Sequence, residues 1–242
     1  GRLPQLCAGD ALGRLVLSQN SKQFNMSTQR FSYSLYDALG RVYEAEQESP
    51  RRRVALKVIR PGVLTRAALR RFAHEAEVLA QLKHPGIAQI YQSGRVSVGG
   101  MLGAAEQPYF AMELVRGPTL TAFARERGLS VRQRMDLLAR VCDAVQHAHQ
   151  RGVIHRDLKP GNILIELADD AAPDRATPKI LDFGIAKLAN QEPSQTIATQ
   201  TGQVVGTLAY MSPEQIGGGR GLDTRGDVYA LGVIGYELLA GR

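Results

Sequence analysis

The pattern of apolar and polar residues is strand-like over residues 41–45 and again over 54–59. In the second run Val54, Leu56 and Val58 share one face, and Ala55, Lys57 and Ile59 share the other, so Lys57 stands among apolar neighbours. The period then lengthens. Leu69, Phe72, Ala73, Ala76, Leu79 and Ala80 fall on one stripe of a helix predicted over 65–83, which His84-Pro85-Gly86 ends. Strand-like runs at 87–91 and 109–115 complete an N-terminal third made mostly of strands with a single helix. Beyond it helices dominate: Leu138, Val141, Cys142, Val145 and Ala148 recur at helical spacing within 131–152, and 222–239 holds another apolar helix. This order predicts an α+β fold in two lobes.

The remaining segments read as connections. Residues 13–17 suggest a short strand, and 18–37, rich in Ser, Gln and Asn, read as a loop. Residues 168–178 read as a loop between two short strands, and 190–205 are polar and rich in Thr and Gln.

Composition narrows the class. The 242 residues are 44% hydrophobic and 22% charged, the balance of a globular protein. No run approaches the roughly 18 uncharged apolar residues of a spanning helix, and the N-terminus lacks the apolar core of a signal peptide. Cys7 and Cys142 match no metal or redox spacing. A soluble, cytoplasmic chain without a membrane segment is expected. The net charge of +7 suits an anionic partner such as a nucleotide. Nucleic acid is not expected as that partner, because Trp is absent and aromatics do not interleave with the basic residues. The densest basic run, Arg51 to Arg53, precedes a strand pattern and reads as its solvated beginning.

The richest chemistry lies in His155, Arg156, Asp157, Leu158, Lys159, Pro160, Gly161 and Asn162, followed directly by apolar Ile163, Leu164 and Ile165. Asp157 is suited to accept a hydroxyl proton and Lys159 to neutralise a phosphoryl group. Asn162 offers an amide oxygen to Mg²⁺, a hard cation that prefers oxygen ligands. Asp182-Phe183-Gly184, after the strand-like 179–181, supplies a further carboxylate.

Val54-Ala55-Leu56-Lys57, Glu75 in the helix, His155-Arg156-Asp157 with Asn162, Asp182-Phe183-Gly184 and Ser212-Pro213-Glu214 together resemble, in order and spacing, the signature of a protein kinase of the eukaryotic-like bacterial Ser/Thr type. The resemblance covers about residues 40–242. It implies a small lobe of antiparallel strands with one helix (1–114, of which 1–39 are an irregular segment and insertion) and a mainly helical large lobe (115–242), incomplete at its C-terminus. It also implies ATP and Mg²⁺ as cofactors, a protein Ser/Thr substrate, Asp157 as base and Lys159 as stabiliser of the transferring phosphate. Lys57 would hold the ATP phosphates and pair with Glu75, and Asn162 and Asp182 would be the Mg²⁺ ligands. Helical periodicity alone leaves Glu75 and Glu77 equivalent, on opposite flanks of the stripe; the family spacing selects Glu75. Met112 would be the gatekeeper, the backbone of Glu113 and Val115 would meet the adenine edge, and Val42, Ala55 and Leu164 would sandwich its faces. His155 is expected to be a packed, hydrogen-bonded histidine. Ser194, Thr196, Thr199 and Thr201 are candidate phosphorylation sites that Arg156 would receive.

Two departures accompany the resemblance. Leu35 and Asp37 stand where the family's glycine-rich loop has glycines, leaving Gly40. That favours, as the alternative, a pseudokinase-like module that binds nucleotide or acts as a scaffold. Taking 13–17 as the first strand, its hairpin would carry a polar insertion of some twenty residues. The chain also ends at a segment resembling the central helix of the large lobe, from which exposed apolar surface and low stability are expected.

Overall fold

Strand alternation between Val42 and Val58 builds a hairpin, β3 (Val42–Glu48) and β4 (Arg51–Val58), at the centre of an antiparallel sheet. The computed structural model of the chain describes residues 24–26, 29–35, 42–58, 76–100, 103–167, 176–183, 208–217 and 223–241. With β1 (Phe24–Met26), β2 (Gln29–Leu35), β5 (Ile90–Gly100) and β6 (Gly103–Glu113) the hairpin forms a six-stranded sheet of order β1-β2-β3-β4-β6-β5. The alternation is realised as read: Val54 and Leu56 pack with Ala45, Tyr109 and Ala111 in a buried cluster, flanked by Tyr43 and Val58. Burial of these apolar side chains is the main stabilising force in this sheet.

The structure corrects two readings here. Residues 18–37 are not a loop, since β1 and β2 lie within them and Leu35 of β2 pairs with Tyr43 of β3. Phe31, Tyr33 and Leu35 alternate with Arg30, Ser32 and Ser34, a strand period that the serines and flanking amides disguised. The strand preceding β3 is therefore 29–35, joined to it by residues 36–41, and the hairpin needs no twenty-residue insertion. Residues 13–17 lie outside the described residues. The strand runs at 87–91 and 109–115 are also longer and differently bounded, because β5 and β6 extend as one hairpin through 90–113. Its Gly-rich tip, Val98 to Ala105, carries no alternation that would mark a strand.

The basic run at the start of β4 faces acidic partners. Arg51 bonds Glu46, and Arg53 lies 3.5 Å from Glu44. Arg52 donates to Gln47 Oε1 at 2.6 Å and stacks its guanidinium 3.6 Å above the Tyr91 ring.

The second unit is built on helices α1 (Leu120–Glu126), α2 (Val131–His149), α3 (Pro213–Ile216) and α4 (Arg225–Ala240), with a two-stranded antiparallel ribbon of β7 (Ile163–Glu166) and β8 (Thr177–Ile180). Sequence patterning did not mark α1. Helix α2 begins at a capping box in which Ser130 Oγ accepts the Gln133 N–H and Gln133 Oε1 accepts the Ser130 N–H. It buries Leu137, Val141, Ala144, Val145 and Ala148, a stripe at helical spacing. Helix α4 ends on Gly241, whose left-handed φ of 72° lets its N–H reach the Glu237 carbonyl. Val228, Tyr229, Tyr236 and Leu239 on α4 are exposed.

The chain divides into a compact unit of Gly1–Ala80 with Ile90–Leu114, and a second of Gln81–Gln89 with Val115–Arg242. Residues 81–89 belong to the second because Ala88 N–H donates to the Ile180 carbonyl at 3.0 Å and Ile180 N–H to the Gly86 carbonyl at 2.9 Å. Among the described residues no helix is long and apolar enough to cross a membrane.

Candidate active site

In the first unit, strand register gathers the residues expected around a nucleotide. Val42 lies opposite Lys57 across β3 and β4, and Ala55 lies opposite Met112 across β4 and β6. Directly opposed residues share a face, and Ala55 and Lys57 are two apart, so all four stand on one face of three neighbouring strands. It is the face opposite the buried cluster of Val54, Leu56 and Tyr109. Met112 is buried. Glu113 ends β6 opposite Val54. Glu75 lies outside the described residues, as do the rest of 59–75, Gly184, Ser194, Thr196, Thr199 and Thr201.

In the second unit, the polar run 155–162 is fixed almost atom by atom. Asp227, buried near the start of α4, accepts the His155 N–H on Oδ2 and the Arg156 N–H on Oδ1, both at 2.8 Å. His149 on α2 places its Nε2 2.8 Å from the same Oδ2. A carboxylate only accepts, so His149 donates there. His155 is fully buried, and its Nδ1 accepts the Asp157 N–H at 3.3 Å. The proton therefore sits on Nε2, which donates to the Leu181 carbonyl at 2.9 Å. Burial pushes the imidazole below its ordinary pKa, against the pull of Asp227 and its other neighbours. Phe183 packs on it with ring centroids 4.8 Å apart. His155 is the packed, hydrogen-bonded residue that was expected.

This anchoring presents Asp157. Lys159 Nζ donates to Asp157 Oδ2 at 3.0 Å, and both side chains are about a quarter exposed, at 28% and 23%. Asn162 donates its side-chain N–H to the Asp157 carbonyl at 2.8 Å. Its own carbonyl accepts the Leu181 N–H at 2.8 Å, which ties the run to the chain leading into Asp182. Arg156 and Asp182 both adopt left-handed backbone, with φ of 66° and 53°. Such angles cost a non-glycine residue on the order of 1 kcal/mol or more, and they persist only where surrounding bonds over-determine them. Leu164 sits in β7 opposite Lys179, and Val115 is buried.

These residues fit a magnesium ion of a particular kind. The Asn162 amide commits its NH₂ side to Asp157, so its oxygen is the atom left to meet a cation. No cluster of three or more His, Cys, Asp or Glu suited to a metal occurs among the described residues. An amide oxygen and a carboxylate suit Mg²⁺, which takes one or two protein oxygens and completes its shell with water and phosphate.

Four participants were not found from the sequence. Gln215 on α3 donates from Nε2 to the Arg156 carbonyl at 3.1 Å. Tyr210 donates to Glu237 Oε2 at 2.5 Å, and burial with that carboxylate pushes its phenol well above the ordinary value. His149 is the third group on Asp227. Gly117 passes so close to β7 that a Cβ there would lie 1.9 Å from the Ile165 carbonyl oxygen.

The family described as "Protein kinase domain" matches residues 38–242. The chain belongs to that family. It is 40% identical over 206 residues to serine/threonine-protein kinase PknA of Mycobacterium tuberculosis, which covers 84% of this chain and 44% of the relative. It is 42% identical over 205 residues to serine/threonine-protein kinase Pkn1 of Myxococcus xanthus, covering 84% of this chain and 27% of the relative. With serine/threonine-protein kinase PknB of Mycobacterium leprae the identity is 37% over 216 residues, 86% of this chain and 32% of the relative. The chain thus spans less than half the length of these relatives. The fold is the α+β kinase fold, and the chain is a bacterial-type Ser/Thr kinase domain.

Proposed function

We propose that this chain transfers the γ-phosphate of ATP to a serine or threonine hydroxyl of a protein substrate, with Mg²⁺ as cofactor. The observation that carries the proposal is the setting of Asp157, whose carboxylate has Lys159 at 3.0 Å and whose own carbonyl is held by Asn162. Asp157 accepts the hydroxyl proton as the substrate oxygen attacks the γ-phosphorus; the bond to the bridging oxygen breaks and ADP leaves. Lys159 offsets negative charge at the phosphoryl oxygens. Lys57 binds the α and β phosphates and pairs with Glu75, and Asn162 and Asp182 hold the metal. Bound Mg²⁺ neutralises phosphate charge and orients the groups that react. Val42, Ala55, Met112 and Leu164 form the apolar walls for adenine, and the backbone of Glu113 and Val115 bonds its edge.

The pseudokinase-like alternative rests on Leu35 and Asp37. Leu35 is the last residue of β2, and Asp37 lies outside the described residues. The relatives are named as serine/threonine-protein kinases, and none of these findings favours the alternative.

The test incubates the full chain with γ-labelled ATP, Mg²⁺ and a generic protein substrate, beside the Lys57→Met and Asp157→Asn variants. Label recovered as phosphoserine or phosphothreonine from the unaltered protein alone supports the proposal. Equal residual label in all three contradicts it.

A further inference from the structure

Arg156 is gripped at both ends. Its left-handed φ of 66° is unfavourable for a side chain bearing a Cβ, and it directly precedes Asp157. Its N–H is taken by Asp227 Oδ1 at 2.8 Å, and its carbonyl receives Gln215 Nε2 at 3.1 Å. Asp227 comes from α4 and Gln215 from α3, so two separate elements close on the two peptide groups that flank one residue. The other end of the Gln215 amide is also committed, because Oε1 accepts the Ser212 N–H at 2.9 Å. A single planar amide therefore joins the Ser212-Pro213-Glu214 segment to the residue before the base. Gln215, Arg156, Asp157 and Asp227 line one small cavity, so the grip lies beside the reacting carboxylate.

We propose that Gln215 is a positioning residue for phosphate transfer. It holds the Arg156 peptide in the left-handed conformation that aims Asp157, and it makes that aim depend on the placement of the 208–217 segment. This rests on the kinase reading above. Gln215 touches no reacting atom; it acts through the Arg156 carbonyl.

The side chain does two jobs that substitutions separate. Gln215→Glu keeps an oxygen for the Ser212 N–H but replaces the donor facing the Arg156 carbonyl with an acceptor. Gln215→Ala removes both. A role confined to capping α3 predicts that Gln215→Glu behaves like the unaltered protein and that only Gln215→Ala suffers. A positioning role predicts that both lower kcat by about 10- to 100-fold, with KM for ATP changed less than about twofold, because ground-state binding of nucleotide does not depend on the aim of the base.

The experiment measures kcat and KM for ATP on the full chain and both variants. Amide hydrogen exchange of 155–158 is followed in parallel with the melting temperature. Loss of protection at 155–158 in both variants, with the melting temperature held and kcat reduced, supports the inference. Wild-type kcat in Gln215→Glu, or unchanged protection in both variants, overturns it. Phosphate transfer by the unaltered chain no faster than by Asp157→Asn would instead defeat the kinase reading, and the exchange data then decide separately whether Gln215 holds the loop.

Discussion

The Asp227 carboxylate accepts the backbone N–H of His155 at 2.8 Å across 72 residues of sequence. With the Arg156 N–H and His149 Nε2, two oxygens receive three donors in a site closed to solvent. Asp227→Asn leaves the shape and replaces one acceptor with a donor, so a buried N–H is set against another N–H. The expected cost is about 2–4 kcal/mol, read as a lower urea midpoint for the chain. Phosphate transfer falls with it, since the 155–157 backbone is released. A midpoint equal to that of the unaltered protein would show that Asp227 does not hold this run.

Gly117 marks where the chain after Val115 lies against β7. Ile165 N–H donates to the Pro118 carbonyl at 2.9 Å, and the Ile165 carbonyl oxygen occupies the space of a Gly117 side chain. Gly117→Ala therefore drives a methyl into backbone that is itself hydrogen-bonded. A loss of at least about 2 kcal/mol is expected, because overpacked cores yield only by shifting backbone. If Val115 and Leu164 meet the adenine as proposed, weaker ATP binding should accompany it, since both flank the displaced contact. Calorimetric unfolding and ATP titration check both effects, and an unaltered melting temperature would contradict the close approach.

His155 couples stability to pH. Burial lowers its pKa below the ordinary 6.5, so the unfolded chain binds the proton more readily than the folded one. Stability is then fully present above about pH 6.5 and declines as the pH falls toward the folded value. His84 and His147 are lowered by burial in the same direction and add to the slope. Urea unfolding between pH 5 and 7.5 should show stability falling on acidification, and His155→Asn should flatten the curve by up to about 1.4 kcal/mol per pH unit. An unchanged slope in His155→Asn would contradict the neutral, donor-to-Leu181 form of the ring.

How much of this was legible in the sequence depended on whether a residue's role follows from its neighbours. The faces of β4 follow from simple alternation, and Val54 and Leu56 are buried as that alternation requires. The same period runs through Phe31, Tyr33 and Leu35, yet the intervening serines match loop composition, and the strand was lost to it. The motif residues were legible through their joint spacing; no single triplet carried them. Asp227 shares its helix with a second acid, Glu237, and no local pattern distinguishes the two. Gln215 and His149 act through partners 59 and 78 residues away, and no local pattern encodes such pairs. The one available sign was Gln215 standing three residues after Ser212, the spacing of a capping box. Gly117 carried no sign, since its need is for space beside β7, a strand over forty residues further along the chain.

Central to the proposed function is that Lys57, on the sheet, and Lys159, in the 155–162 run, each meet the phosphates of bound ATP. An ATP derivative with an acyl group on its terminal phosphate transfers that group to amines lying beside the phosphates, and peptide mass spectrometry reads the sites. With the full chain and Mg²⁺, label should concentrate on Lys57 and Lys159 and be suppressed by excess unmodified ATP. Label spread over other lysines and insensitive to ATP would contradict the account.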